Sequence, residues 1–411
     1  MGPGTGTVRQ PGAAERTRSV IPDIPYIRGR SGGEQRATFF ELYFDLVYVF
    51  AVTRISHHLL ADLSWIGAAQ AAFFLVAVYW AWNYTTWMAN WFDPETVPVR
   101  LVLIYVMLAS FLMAVAIPEG SVDLAPLFAA SYTALQIGRN TFVVWVTPPG
   151  AFNENFRQIL AWSVLSAPLW VVGGILSGEP RWLLWVAALA LDLAAPLARF
   201  WVPRAGPTPM SQWEVEGSHF AERFQLFVII ALGESIVLAG VTASDAGLRG
   251  SVVVTLGFAF LTSTALWWLY FGQVAGSVAR RISRSAADES GQIGRDVYTY
   301  LHLPIIAGIV LTAVGVELVI VHPGGELHTA GALVTLGGPA LYLLGLMACA
   351  ARIGHRPSWP QMAAVVVLLA AVPLAAHVYG LLVLIVLTVG LIALVVVDQI
   401  RPQLADPPPH Q

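Results

Sequence analysis

Apolar residues in this chain come in runs of about twenty, one after another, from residue 39 to residue 398. A bilayer's hydrocarbon core is about 30 Å thick and takes roughly 20 residues of helix to cross. Reading for runs of that length gives about twelve: 39–61, 66–92, 97–117, 124–146, 157–177, 181–202, 219–241, 250–271, 298–320, 330–351, 361–377 and 379–398. Only a short break near His377 and Gly380 separates the last two. Composition agrees, with 57% hydrophobic and 11% charged residues and a mean hydropathy of +0.68. Soluble domains are about a quarter charged, so too few charges are present to cover soluble surfaces. The expected fold is all-α, a polytopic transmembrane bundle of about twelve spans.

Charge placement tests that count. All 22 basic residues are arginine. With the N-terminus inside, nearly every loop arginine falls on the cytoplasmic face, and only Arg181 and Arg249 lie outside, as the positive-inside rule requires. The expected topology is therefore multi-pass with the N-terminus cytoplasmic. Residues 1–36 are polar with six arginines and no apolar core, which reads as a disordered cytoplasmic arm and not a signal peptide. Two six-span halves, 37–202 and 219–398, are expected around a cytoplasmic linker at 203–218, with a disordered tail at 399–411. Aligning Phe39-Phe-Glu41 on Phe220-Ala-Glu222 puts Tyr43 on Phe224 and Val47 on Val228, so the halves read as a parallel repeat.

Charged groups inside a span are costly and face a bundle interior or a wet cavity. Span one carries Glu41, Asp45, Arg54, His57 and His58, and at 100° per residue Glu41, Asp45 and Ser56 fall within about 60° of one another. Span two carries Asn83 and Asn90, span four Gln136, Arg139 and Asn140, and span six Asp192. Span seven carries His219, Glu222, Arg223, Gln225 and Glu234, and span nine has His302 just before Pro304. Carboxylate–arginine pairing across spans one, four and seven is expected, with Asp45–Arg139 and Glu41–Arg223 as working pairs. The candidate substrate- or proton-binding residues are Glu41, Asp45, Asn83, Arg139, Asn140, Asp192, Glu222, Arg223, Glu234 and His302. The competing reading for each is structural: paired charges lock helices together, and buried polar groups act as glue.

Other chemistry leaves little trace. No phosphate-binding loop, dinucleotide glycine pattern, serine-hydrolase elbow or zinc-protease motif is found, and no cofactor or metal site is expected. His322, Glu326 and His328 could hold a metal but read better as a solvated loop. A net charge of −3 gives no reason to expect nucleic acid. The expected partners are membrane lipids and a small molecule or ion, with the oligomeric state left open.

The segments FFELYFDLVYVFAVTRISHHL, HFAERFQLFVIIALGESIV and YTYLHLPIIAGIV resemble hallmark segments of the bacterial low temperature requirement A family. The resemblance covers most of residues 37–398. It implies a multi-pass protein of the bacterial inner (plasma) membrane and brings a link to growth in the cold, but no established substrate and no catalytic residues to carry over. Three functions stay open. A proton- or ion-linked secondary transporter leads, on the strength of the polar layer and the absence of nucleotide motifs. An intramembrane enzyme acting on a lipid or isoprenoid would use the aromatic span YWAWNYTTW, and a non-catalytic membrane sensor or structural component in cold adaptation would use neither.

Overall fold

The computed structural model describes residues 24–28, 36–118, 123–209, 213, 217–356 and 358–400. Most of the arm expected over 1–36, nearly all of the tail over 399–411 and parts of the 203–218 linker lie outside the described residues. The rest is helix. Twelve long helices follow in order: α1 (Phe39–Ala61), α2 (Trp65–Trp91), α3 (Val97–Val115), α4 (Ala125–Val146), α5 (Ala151–Ile175), α6 (Glu179–Leu197), α7 (Gly217–Asp245), α8 (Gly250–Leu269), α11 (His302–Val321), α12 (His328–Arg352), α13 (Trp359–Ala375) and α14 (Gly380–Ile400). Two short helices, α9 (Ala275–Arg284) and α10 (Ala287–Ile293), continue α8 and lead into α11 through π-helical turns at Tyr270–Val274 and Gly294–Leu301. The basic stretch Arg280–Arg295 is thus mostly a helical extension of two spans.

Among the described residues, nine helical segments are long and apolar enough to cross a membrane. The other three long helices are α1 and α4, which carry polar groups inward, and α13, with 17 residues. The chain is a polytopic helix bundle. Local chemistry sets the helix starts. Thr38 and Glu41 form a reciprocal capping box on α1, Ser64 caps α2, and α3, α4, α6 and α13 carry proline in the first turn, where its missing N–H costs no helical bond.

Burial ranks the helices. The segment containing α11 is 72% buried over its apolar window, against 28% for that containing α6, so α11 is central and α6 sits at the rim. Helices α11 and α12 touch through glycine: a Cβ on Gly308 would lie 2.5 Å from Tyr342 N, and one on Gly338 2.5 Å from Thr312 N. Without a hydrophobic drive between helices in lipid, such backbone approach supplies the packing. Helices α1 and α7 run parallel, side by side, since Glu41 meets Arg223, Tyr48 meets Phe227 and Thr53 meets Glu234 in ascending order.

Candidate functional site

The parallel contact of α1 with α7 brings one turn of charges from each helix together. Glu41 Oε1 lies 2.9 Å from His219 Nε2, 3.1 Å from Arg223 Nη1 and 3.1 Å from Arg28 Nη2. Its Oε2 accepts from the Thr38 backbone N–H (2.8 Å) and hydroxyl (3.1 Å). Both oxygens are fully engaged, and one of the partners, Arg28, also reaches the end of α2 at Ala89 O. Glu41 is therefore a fastener joining the segment before α1, α1 itself and α7. Glu222 extends the same clasp by accepting the Ala37 N–H at 2.7 Å.

Asp45, one turn further along α1, is 1% exposed. Its Oδ1 accepts from Arg223 Nη2 (2.6 Å) and Trp82 Nε1 (2.8 Å), while Oδ2 is buried without a hydrogen-bond partner. The working pair Asp45–Arg139 is therefore replaced by Asp45–Arg223, whereas Glu41–Arg223 is present. The reason is adjacency: α7 lies directly against α1 at this level, and the neighbour α2 meets Asp45 through Trp82.

Arg139 sits in a different network. Its guanidinium donates to Thr85 Oγ1 (3.2 Å), to Gln136 Oε1 and to Asn140 Oδ1 (3.4 Å), and it lies 5.3 Å from the centre of the Tyr84 ring. No carboxylate pairs with it among the described residues, although it is 1% exposed. Gln136 Nε2 donates to Tyr132 Oη (3.1 Å), and Tyr132 donates to Asp192 Oδ2 (2.9 Å), which also accepts from Trp170 Nε1 (3.0 Å). A buried cation and a buried carboxylate are thus linked through an amide and a phenol across α4, α5 and α6.

Two further carboxylates lie deeper along α7 and α11. Glu234 faces Thr53 of α1 and is close enough to Glu317 for the two charges to interact. Glu317 Oε1 accepts from Thr242 (3.1 Å), and its Oε2 has no hydrogen-bond partner. Neither forms an ion pair among the described residues. His302 does not join these groups. Its Nδ1 lies 2.9 Å from Val297 O, which also accepts the His302 backbone N–H in the π-helical turn, and its Nε2 lies 2.8 Å from Tyr270 Oη. A carbonyl can only accept, so Nδ1 carries the hydrogen and the ring is held in one tautomer.

A pocket opens at the end of the bundle where α1 begins. It contains about 560 Å³ of free space, part of it continuous with the outside, and both Asn83 and Asn140 line it. Asn83 is completely buried; its Oδ1 accepts from Thr299 (3.3 Å), whose hydroxyl in turn accepts from Trp87 Nε1 (3.0 Å). Asn140 Nδ2 donates to Ser163 (3.1 Å), so this amide is occupied on both sides.

Comparison with known proteins now adds the family. The model for bacterial low temperature requirement A protein matches residues 36–396. The chain belongs to this family. It is also 38% identical over 327 residues to an uncharacterized protein of Rhizobium meliloti (strain 1021), a match covering 78% of this chain and 79% of the relative. No solved structure matches. This member of the low temperature requirement A family is thus a multi-pass membrane protein. Of the ten candidate residues, Glu41, Asp45 and Arg223 meet in one network, with Glu222 beside it. Arg139, Asn140 and Asp192 share a second, Asn83 lines the pocket with Asn140, and Glu234 and His302 lie apart.

Several participants escaped sequence reasoning. Glu317 stands alone in VGVELVIV, the same signal of an isolated carboxylate in an apolar run that marked Asp192. Trp82 and Tyr132 read as apolar bulk, and only their neighbours reveal that they donate to Asp45 and Asp192. Arg28 lies before the first span and carries no mark of inward pairing.

Proposed function

We propose that the protein is a proton-linked secondary transporter in which Asp45 carries the proton and Arg223 answers it. The supporting observation is the asymmetry of Asp45: one oxygen holds Arg223 and Trp82, and the other is buried and unpartnered. A proton on Oδ2 removes the charge that Oδ1 presents to Arg223. That weakens the contact between α1 and α7 without disturbing Glu41, which keeps its own grip on Arg223. A ligand or proton shifts a conformational equilibrium only through such differential contact. Ionisable groups inside a membrane bundle commonly serve proton relays, and Glu234 and Glu317 continue the line of carboxylates along α7 and α11. Neither has an ion pair among the described residues to break when it gains or loses a proton. The arginines of the connections at the α1 end support a cytoplasmic position for that end.

The enzyme reading draws on the aromatic pocket, but that pocket offers arginines and no carboxylate among its described lining residues, a poor setting for a cationic intermediate. The test is proton flux into liposomes loaded with a pH-sensitive dye under an imposed pH gradient and voltage. Parent protein is expected to carry flux, and Asp45→Asn to lose it while remaining folded. Parent-level flux in Asp45→Asn and in Glu317→Gln would end this assignment. Unchanged turnover with altered stability alone would favour a structural or sensory component.

A further inference from the structure

We infer that the pocket at the α1 end binds an organic anion with a flat apolar body, and that this is the substrate site of the transporter proposed above. The inference rests on that reading only for the word substrate; the binding site stands on its own geometry.

Four features converge. The first is charge. Arg199 and Arg295 line the pocket, and no carboxylate does among the described residues. Arg199 forms no ion pair among the described residues. Arg295 is paired with Asp296 at 2.7 Å, but Asp296 is shared with Arg352 at 2.8 Å, leaving two arginines to one carboxylate. Behind the wall, Arg139 donates to the lining Asn140 and lies over the lining Tyr84. A cation buried without a carboxylate adds to the potential in the cavity, because charges inside a low-dielectric wall are poorly screened.

The second feature is an unfilled donor. Asn83 is 0% exposed and lines the pocket, its Oδ1 is used by Thr299, and its Nδ2 has no partner. A buried amide donor left unpaired is unfavourable, and an acceptor on a bound molecule would satisfy it.

The third is the wall. Trp87, Trp91, Phe156, Phe200 and Trp213 surround the space, with Trp87 and Trp213 edge to face at 5.5 Å and Phe200 stacked on Trp213 at 5.2 Å. Rings arranged this way offer faces and edges to a planar apolar guest.

The fourth is strain. Arg199 and Phe200 are consecutive non-glycine residues, each with φ of 50°, and both line the pocket. Left-handed backbone is unfavourable for such residues and collects at ligand sites. Here the turn delivers a cation and a ring to the same cavity. It is held by Phe200 N–H on Ala195 O and Thr208 N–H on Arg199 O, both 2.8 Å.

An anion alone would need only the arginines, and an apolar molecule only the rings. The lining provides both, with an amide between them, which selects an aromatic carboxylate or a molecule of like shape and charge. The full chain in nanodiscs would be titrated calorimetrically with 1-naphthoate, with acetate and 1-naphthalenemethanol as probes that each lack one half. Saturable 1-naphthoate binding, at least tenfold tighter than either control, is the expected result. Arg199→Gln, at an exposed position, should weaken it about tenfold, and Asn83→Leu should do likewise. Equal binding of acetate would overturn the apolar half, and equal binding of the alcohol would overturn the anionic half. Absence of saturation in folded protein, or parent affinity in both Arg199→Gln and Arg295→Gln, would overturn the site. Intact 1-naphthoate binding in a protein without proton flux would remove the transport reading and leave the site standing.

Discussion

Arg223 and Arg139 are both 1% exposed, yet their surroundings are opposite. Arg223 bridges two carboxylates from α1, Glu41 and Asp45. Arg139 rests on an amide, a hydroxyl and the face of Tyr84. The difference separates a fastener from a source of potential. Removing one member of a buried ion cluster strands the charges it balanced, whereas removing a cation with neutral partners strands only hydrogen-bonding groups. The first arrangement holds helices together, and the second keeps a positive field beside the pocket.

This contrast can be broken by measurement. Arg223→Gln should be the most damaging change, at about 3–5 kcal/mol, because buried Asp45 loses its ion-pair partner and Glu41 is left with Arg28 and His219. It would be read from thermal unfolding in detergent and from the yield of monodisperse protein. Arg139→Gln should cost less, about 1–3 kcal/mol, and while stability largely survives, anion binding in the pocket should fall. Equal losses for the two variants would erase the distinction. Next comes the coupling between Glu41 and Arg223. The double variant Glu41→Gln/Arg223→Gln should be more stable than the sum of the single losses by about 1 kcal/mol or more, within the range for contacting residues. A strictly additive cycle would mean that the clasp is not cooperative. Trp82→Phe removes one hydrogen bond to Asp45 with the ring packing kept, for a loss of about 1–2 kcal/mol and a change in flux against pH.

The smallest effect lies outside the spans. Arg181 donates to Asp123 at 3.0 Å, and this hydrogen bond holds the Asp123 carboxyl below its ordinary value. A lowered carboxylate stabilises the fold above its unfolded-state pKa, and that stability fades as pH falls through the lowered value. Asp123 is exposed, so the effect is at most about 1 kcal/mol. Asp123→Asn should flatten that acid-side slope in thermal unfolding and leave behaviour at neutral pH nearly unchanged.

Most of the fold was legible in the chain. The twelve apolar runs reappear as the twelve long helices, including the closely spaced last pair, which separate at Ala376–Tyr379 into α13 and α14. The start of α5 moved to Ala151, since AFNENFRQ is helical without being apolar. The end of α8 and the approach to α11 were missed in the same way: Ala275–Arg284 and residues 294–297 lie outside the apolar runs that mark a span, and helix continues through them. Hydropathy sees what a bilayer needs and is blind to helix that projects beyond it.

The site was legible only as a set of residue types. Helical periodicity determines which side chains share a face, so Glu41 and Asp45 could be placed together on α1 from spacing alone. Periodicity carries no information about which helix faces that stripe. Arg223 and Arg139 were equally good partners for Asp45 until α7, 178 residues away, was found lying parallel to α1. The same holds for Asn83, Arg199 and Trp213, which come from three separate stretches and acquire meaning only around one cavity. The sequence by itself determined that this chain lives in a membrane as a helix bundle, because the need to bury backbone polar groups in lipid admits almost no other answer. Tertiary structure alone decided which buried charges are balanced and which are left to act, because that depends on helix neighbours and not on helix content.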